Sequence, residues 1–156
     1  MKLKNIDWKN LITAIAIPLA VGGASALITK NGMKAFETVN QPPLTPPMWL
    51  FPVVWTLLFI LMGIASYLIV NAHAEDTKAL YYYGIQLVLN FFWSIWFFNL
   101  SWYLFSFFWL LVLWICILAT IISFFPISKN AAYLMMPYLL WVAFAGYLNL
   151  GVYLLN

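Results

Sequence analysis

The sequence predicts an all-α integral membrane bundle of five transmembrane helices, and three observations predict it. Five apolar stretches, Leu11–Ile28, Met48–Val70, Leu80–Leu100, Trp102–Phe125 and Ala131–Leu155, contain no charged residue. A helix rises about 1.5 Å per residue, so roughly 20 such residues cross a hydrocarbon layer ~30 Å thick. Hydrophobic residues make up 66% of the 156-residue chain and charged residues 7%, a surface that a soluble domain of this size does not tolerate. Finally, the runs lack strand alternation and far exceed the ~10 residues of a barrel strand. Helices pair their backbone groups within the segment, as the bilayer core requires.

The first stretch follows Lys2 and Lys4 and contains Ala24-Ser25-Ala26, which also suits a secretory signal with a small-residue cleavage site. Its length favours a retained span. Pro18 lies inside it and is expected to kink it. Ala16, Ala20 and Ala24 make a small-residue stripe, expected to pack within the bundle rather than in a dimer. The connection Asn31–Pro47 is the one long loop. Pro42, Pro43, Pro46 and Pro47 make it stiff and extended, and its length marks it as a lid over a functional site. Pro52 and Pro137 fall in the opening turns of the second and fifth spans, where a missing N–H costs little. The remaining loops, Asn71–Ala79, Ser101 and Pro126–Asn130, are short enough to make consecutive helices antiparallel neighbours. Five spans and short loops describe one domain over residues 1–156.

Charge decides topology and excludes much chemistry. Lys2, Lys4, Lys9, Lys78 and Lys129 fall on one side, against Lys30 and Lys34 on the other, which predicts a cytoplasmic amino terminus. A net charge of +3 without arginine does not suit nucleic acid. Asp7, Glu37, Glu75, Asp76 and His73 all lie outside the spans, so no ionisable group is available for ion coupling at membrane depth. No metal-ligand spacing, nucleophile–base pair or glycine-rich phosphate loop is present, and the lone Cys116 has no disulfide partner within the chain. The residues support no acid–base, nucleophilic or metal catalysis.

What remains at membrane depth is amide and aromatic. Gln86, Asn90, Trp93 and Phe97 share one face of the third span. Asn90 lies near its midpoint, where an unpaired amide costs several kcal/mol by hydrocarbon-like scales. Tyr138, Trp141, Ala145 and Asn149 form a face of the fifth span, and Trp55, Phe59 and Met62 one of the second. Such walls suit a flat hydrophobic ligand. They equally suit ordinary packing faces joined by an interhelical hydrogen bond, and on the residues alone packing is the simpler account. Trp8, Trp49 and Trp102 lie near span ends, where indoles favour the headgroup layer; Trp55, Trp93 and Trp141 are deeper.

These residues bring a family into view. The run QPPLTPPMWLFPVVWT from Gln41 to Thr56, continuing through Leu61–Tyr67, resembles the first-loop and second-helix signature of the TspO/translocator protein family. These are the tryptophan-rich sensory proteins, related to the mitochondrial peripheral benzodiazepine receptor. Gln86–Trp93 resembles the family's third-helix motif, and Pro137–Ala145 with Leu148-Asn149 its fifth. The resemblance implies a five-helix membrane receptor or sensor, often homodimeric, with a pocket for protoporphyrin IX and other planar hydrophobic ligands closed by the first loop. It carries pocket roles to Trp55, Asn90, Trp93, Trp141 and Ala145; Phe59, Gln86 and Tyr138 join them from the faces above. The porphyrin is a ligand, with no obligatory cofactor. The alternatives are a carrier or transporter of porphyrin or lipid, and light-dependent porphyrin degradation involving Trp55 and Trp141. Three family positions depart: its loop-one Trp-Tyr is Ala35-Phe36, and the Trp before the Pro-Pro pair is Leu44. Tyr153 lacks a following Lys or Arg, which argues against a cholesterol-dedicated role.

Overall fold

A computed structural model describes residues 5–72 and 78–156. His73, Glu75, Asp76, Lys2 and Lys4, and with them much of the lysine asymmetry and the second loop, lie outside the described residues. Among the described residues five α-helices follow in order: α1 Trp8–Phe36, α2 Leu50–Asn71, α3 Lys78–Ser94, α4 Tyr103–Phe124 and α5 Lys129–Leu155. Four of them, α1, α2, α4 and α5, are long and apolar enough to cross a bilayer. At 17 residues α3 is shorter, and a five-residue π turn, Ile95–Asn99, extends it. The bundle expected from hydropathy is the fold observed.

Helix ends follow their caps. Asp7 accepts the Asn10 backbone N–H through its side chain at 3.2 Å and starts α1, while Ser128 does the same for Ala131 at the start of α5. The sequence-based first span ends at Ile28, but α1 runs eight residues further. Thr29 turns its hydroxyl inward to the Ser25 carbonyl at 2.8 Å, and Phe36 is buried against the rings of Phe97 and Phe98 at 5.3 and 5.5 Å. Hydropathy falls at Lys30–Asn31, yet these packing contacts keep the chain helical. The first loop therefore begins at Glu37.

The third span was expected as one helix to Leu100. Instead the Leu100 N–H reaches the Ile95 carbonyl at 3.2 Å, a five-residue step, and Ser101 turns the chain at φ 54°. Pro137, expected in an opening turn, sits in the third turn of α5 because Ser128 starts that helix early. Ala16, Ala20 and Ala24, expected inside the bundle, are exposed on α1. The face of α1 that packs inward carries Pro18, Ser25, Thr29 and Phe36 instead.

Glycine sets how closely α1 and α2 approach. A Cβ on Gly63 would clash with the Ile15 Cα and lie 2.8 Å from the Ala14 carbonyl oxygen. That carbonyl is the one Pro18 leaves without its helical N–H, so the tight crossing falls where α1 is short of one hydrogen bond. Around this crossing the amino-terminal half of the bundle is filled by Met62, Leu113, Ile117, Met135 and Phe124, all fully buried. Asp7 adds a backbone N–H to the Tyr67 hydroxyl at 3.0 Å, tying the start of α1 to the end of α2.

Candidate functional site

The half of the bundle nearer the first loop is not filled. A cavity of about 340 Å³ lies among α1, α2, α3 with its π turn, and α5. Six of the eight residues singled out in the sequence line it: Trp55, Phe59, Asn90, Trp93, Trp141 and Ala145. Trp55 is the hub. Its ring stacks on Phe59 at 5.6 Å and lies 6.4 Å from Trp93, 6.1 Å from Tyr138 and 6.5 Å from Trp141. Aromatic pairs at such separations contribute ~0.5–1.5 kcal/mol each beyond burial, so the wall is rigid.

The other two stand behind that wall. Tyr138 is fully buried, and its hydroxyl accepts the Asn90 Nδ2 hydrogen at 2.7 Å. This is the interhelical bond that the midpoint amide demanded, and it fixes Asn90 at the cavity edge. Gln86 lies one helical turn further from the first loop, fully buried, with Nε2 3.8 Å from the Met62 sulfur and Oε1 without a partner among the described residues. A helical-face argument gives direction but not depth, which is why it grouped Gln86 with Asn90.

Two indoles differ in a way that matters for binding. Trp93 donates its N–H to Asn149 Oδ1 at 3.1 Å, and Asn149 in turn donates to the Tyr103 carbonyl at 2.7 Å. Trp93 is therefore held. The Trp141 N–H is buried and has no partner among the described residues, a cost of ~1–3 kcal/mol if it stays unmade. The wall hydroxyls of Thr29 and Thr56 are used locally, on the Ser25 and Pro52 carbonyls at 2.8 and 2.7 Å. Among the described residues, no charged side chain lines the cavity. The site suits a flat apolar body.

Sequence reading missed the α1 wall, formed by Leu19, Gly22, Ser25, Ala26, Thr29 and Met33. Gly22, Ser25, Ala26 and Thr29 recur at helical spacing, a signal the alanine stripe on the opposite face obscured. The first loop contributes no lining residue over 37–49; from the stretch expected as a lid only Met33 and Phe36 reach the cavity, both in α1. The loop is fastened to the end of α5. Tyr147 donates to the Pro43 carbonyl at 2.7 Å, and Asn40 and Asn156 exchange hydrogen bonds at 3.1 and 2.8 Å. Pro42 sits so close to Gly151 that a Cβ there would fall 2.6 Å from its ring.

The TspO/MBR family profile matches residues 14–155. The chain is 39% identical over 150 residues to the Tryptophan-rich protein TspO of Chlorobaculum tepidum, covering 94% of this chain and 95% of that one. It is 31% identical to the Tryptophan-rich sensory protein of Cereibacter sphaeroides, covering 97% and 94%. It is also 32% identical to the Translocator protein of Bos taurus, covering 91% and 87%. Matched along nearly its whole length and carrying the helices those matches span, this chain belongs to the TspO/MBR family.

Proposed function

We propose that this multi-pass integral membrane protein is a receptor or sensor that binds tetrapyrroles such as protoporphyrin IX, and related planar hydrophobic molecules, in the cavity around Trp55. Membership of a family with sensory and translocator members supports the receptor role. One observation carries the ligand class: three indoles, Trp55, Trp93 and Trp141, surround a cavity without charge, and one of them has an unused N–H. A planar ring fits between such walls, and a ligand carbonyl or carboxylate accepts from Trp141 once the buried indole N–H turns toward it. Asn90, Phe59 and Ala145 complete the contact surface, while Tyr138 and Gln86 act from behind it. The amino terminus lies in the cytoplasm, following the lysines. A second copy of the chain is the partner suited to the exposed Ala16, Ala20 and Ala24, and crosslinking in the bilayer tests that pairing.

The binding test is a protoporphyrin IX titration of the parent and Trp141→Phe in proteoliposomes. Phenylalanine keeps the ring and removes only the donor, so a hydrogen bond worth ~0.5–1.5 kcal/mol predicts a loss of roughly 2- to 13-fold. Equal affinities remove Trp141 as the donor. A photochemical reading draws on the same indoles, which lie 6.4–6.5 Å apart in a row. If they act as redox partners, light-dependent breakdown falls further than occupancy in Trp55→Phe; breakdown that tracks occupancy leaves the protein a binder only.

A further inference from the structure

We propose that the cavity opens sideways into the hydrocarbon of the bilayer, through a mouth between α1 and α2, and that its ligand enters from the lipid phase. The inference rests on the ligand-binding reading above and adds the route. α1 and α2 meet tightly where Gly63 faces Ala14 and Ile15, and again where Gly22 accommodates the Phe59 ring. Beyond Gly22 they are drawn to different partners. α1 leans on the π turn: Gly32 packs against the Phe98 carbonyl, and Asn99 donates to the Ile28 carbonyl at 3.1 Å. α2 turns to α5 instead, with Phe51 and Trp55 lying 5.9 and 6.5 Å from Trp141. The cavity occupies the wedge left between these contacts, lined by both helices.

The lining residues divide accordingly. From α3, its π turn and α5, Asn90, Trp93, Phe97, Ala145 and Leu148 are buried and Ser94, Phe98 and Trp141 half-buried. Four that are exposed on the outer surface, Gly23 and Ala26 of α1 and Pro52 and Thr56 of α2, flank the wedge. At Gly23 an added Cβ would meet nothing within 4 Å. None of the four is charged, and the Thr56 hydroxyl is spent on the Pro52 carbonyl, so the rim suits hydrocarbon. Gly23 and Ala26 lie near the middle of a 29-residue helix, at membrane depth.

The aqueous route is the harder one. Lifting the first loop breaks the Tyr147–Pro43 bond and the Asn40–Asn156 pair and unseats Pro42 from Gly151, whereas the lateral mouth needs no hydrogen bond broken. Size agrees. A cavity of about 340 Å³ is within the range of ligand pockets, ~300–1,000 Å³.

Two measurements test this. Stopped-flow exchange of protoporphyrin IX between vesicles and protein in nanodiscs compares the parent with Gly23→Phe, Thr56→Phe and a loop-release variant, Tyr147→Phe with Asn156→Ala. Rim variants are expected to slow association and dissociation together, by about tenfold, with a much smaller change in affinity, and loop release to leave both rates within about twofold. Unchanged rates in the rim variants, or faster rates on loop release, overturn the lateral route. The second measurement needs no ligand. A nitroxide on Ala145→Cys in a Cys116→Ala background reports collisions inside the cavity. Dissolved oxygen from the membrane is expected to relax it and a water-soluble nickel chelate not, with oxygen access reduced by Gly23→Phe. Strong nickel access overturns the inference. If the parent binds no porphyrin the binding reading fails, and the nitroxide still decides the opening.

Discussion

The two halves of the α1–α2 seam are built from the same kinds of residue and do opposite things. Toward the amino-terminal end Gly63 removes a side chain so that backbone meets backbone, and fully buried Met62, Leu113 and Ile117 fill the interior. Toward the first loop Gly23 also removes a side chain, but it faces open space on the rim of the cavity. Small residues give close packing where the two helices meet directly and an opening where their partners differ. The contrast teaches that the small-residue content of α1 is not one dimerisation or packing motif. Its meaning changes within three helical turns, according to what stands opposite.

Substitution of the two glycines should separate the halves. Gly63→Leu forces a branched side chain against the Ala14 and Ile15 backbone and should lower stability by about 3 kcal/mol, read as a large drop in unfolding temperature in detergent. Gly23→Leu should stay within ~0.5 kcal/mol of the parent. Similar losses at both would break the contrast. The cavity half responds in binding instead. Trp141→Ala removes an aromatic wall and a donor together, and anchors of this kind are worth roughly 2 kcal/mol, so affinity for protoporphyrin IX should fall about 30-fold.

Gly22 sits between the two regimes and sharpens the comparison. A Cβ there would overlap the Phe59 ring at its Cδ2 and Cε2 atoms. Phe59 is a cavity wall, so displacing its ring in Gly22→Ala should weaken porphyrin binding by about fivefold with a stability cost of ~1 kcal/mol. A stability loss as large as that of Gly63→Leu would place Gly22 with the packed half. The smallest effect is expected from the first loop. Pro46→Gly with Pro47→Gly loosens the chain by ~0.4–1 kcal/mol per site, and should weaken binding by less than about threefold with helical content intact. Loss of helix on circular dichroism would instead make these prolines part of the bundle's framework.

Hydropathy made the helices legible, because each segment must satisfy its own backbone in the bilayer. It did not locate the end of α1, since Lys30 and Asn31 read as a loop while Phe36, six residues on, holds the helix against the π turn. The π turn itself left no trace in apolar periodicity; its signature is a hydrogen-bond step of five at Leu100. Within the site, the aromatic faces of α2, α3 and α5 pointed to the cavity because large side chains stand out at spacings of three and four. The α1 wall did not stand out, since glycine, serine, alanine and threonine shape a cavity by what they lack. Depth was equally hidden: Gln86 and Asn90 share a face, but only Asn90 reaches the cavity.

The central claim is that the unfilled half of this bundle is a binding site organised around Trp55. The most direct measurement is an equilibrium titration with protoporphyrin IX of the parent and Trp55→Ala, both reconstituted in nanodiscs, followed by porphyrin absorbance and by intrinsic fluorescence. Saturable one-site binding by the parent, weakened at least about 30-fold by Trp55→Ala, is the predicted result. Equal affinities in the two proteins, or uptake that grows linearly with porphyrin and lipid in both, would contradict it.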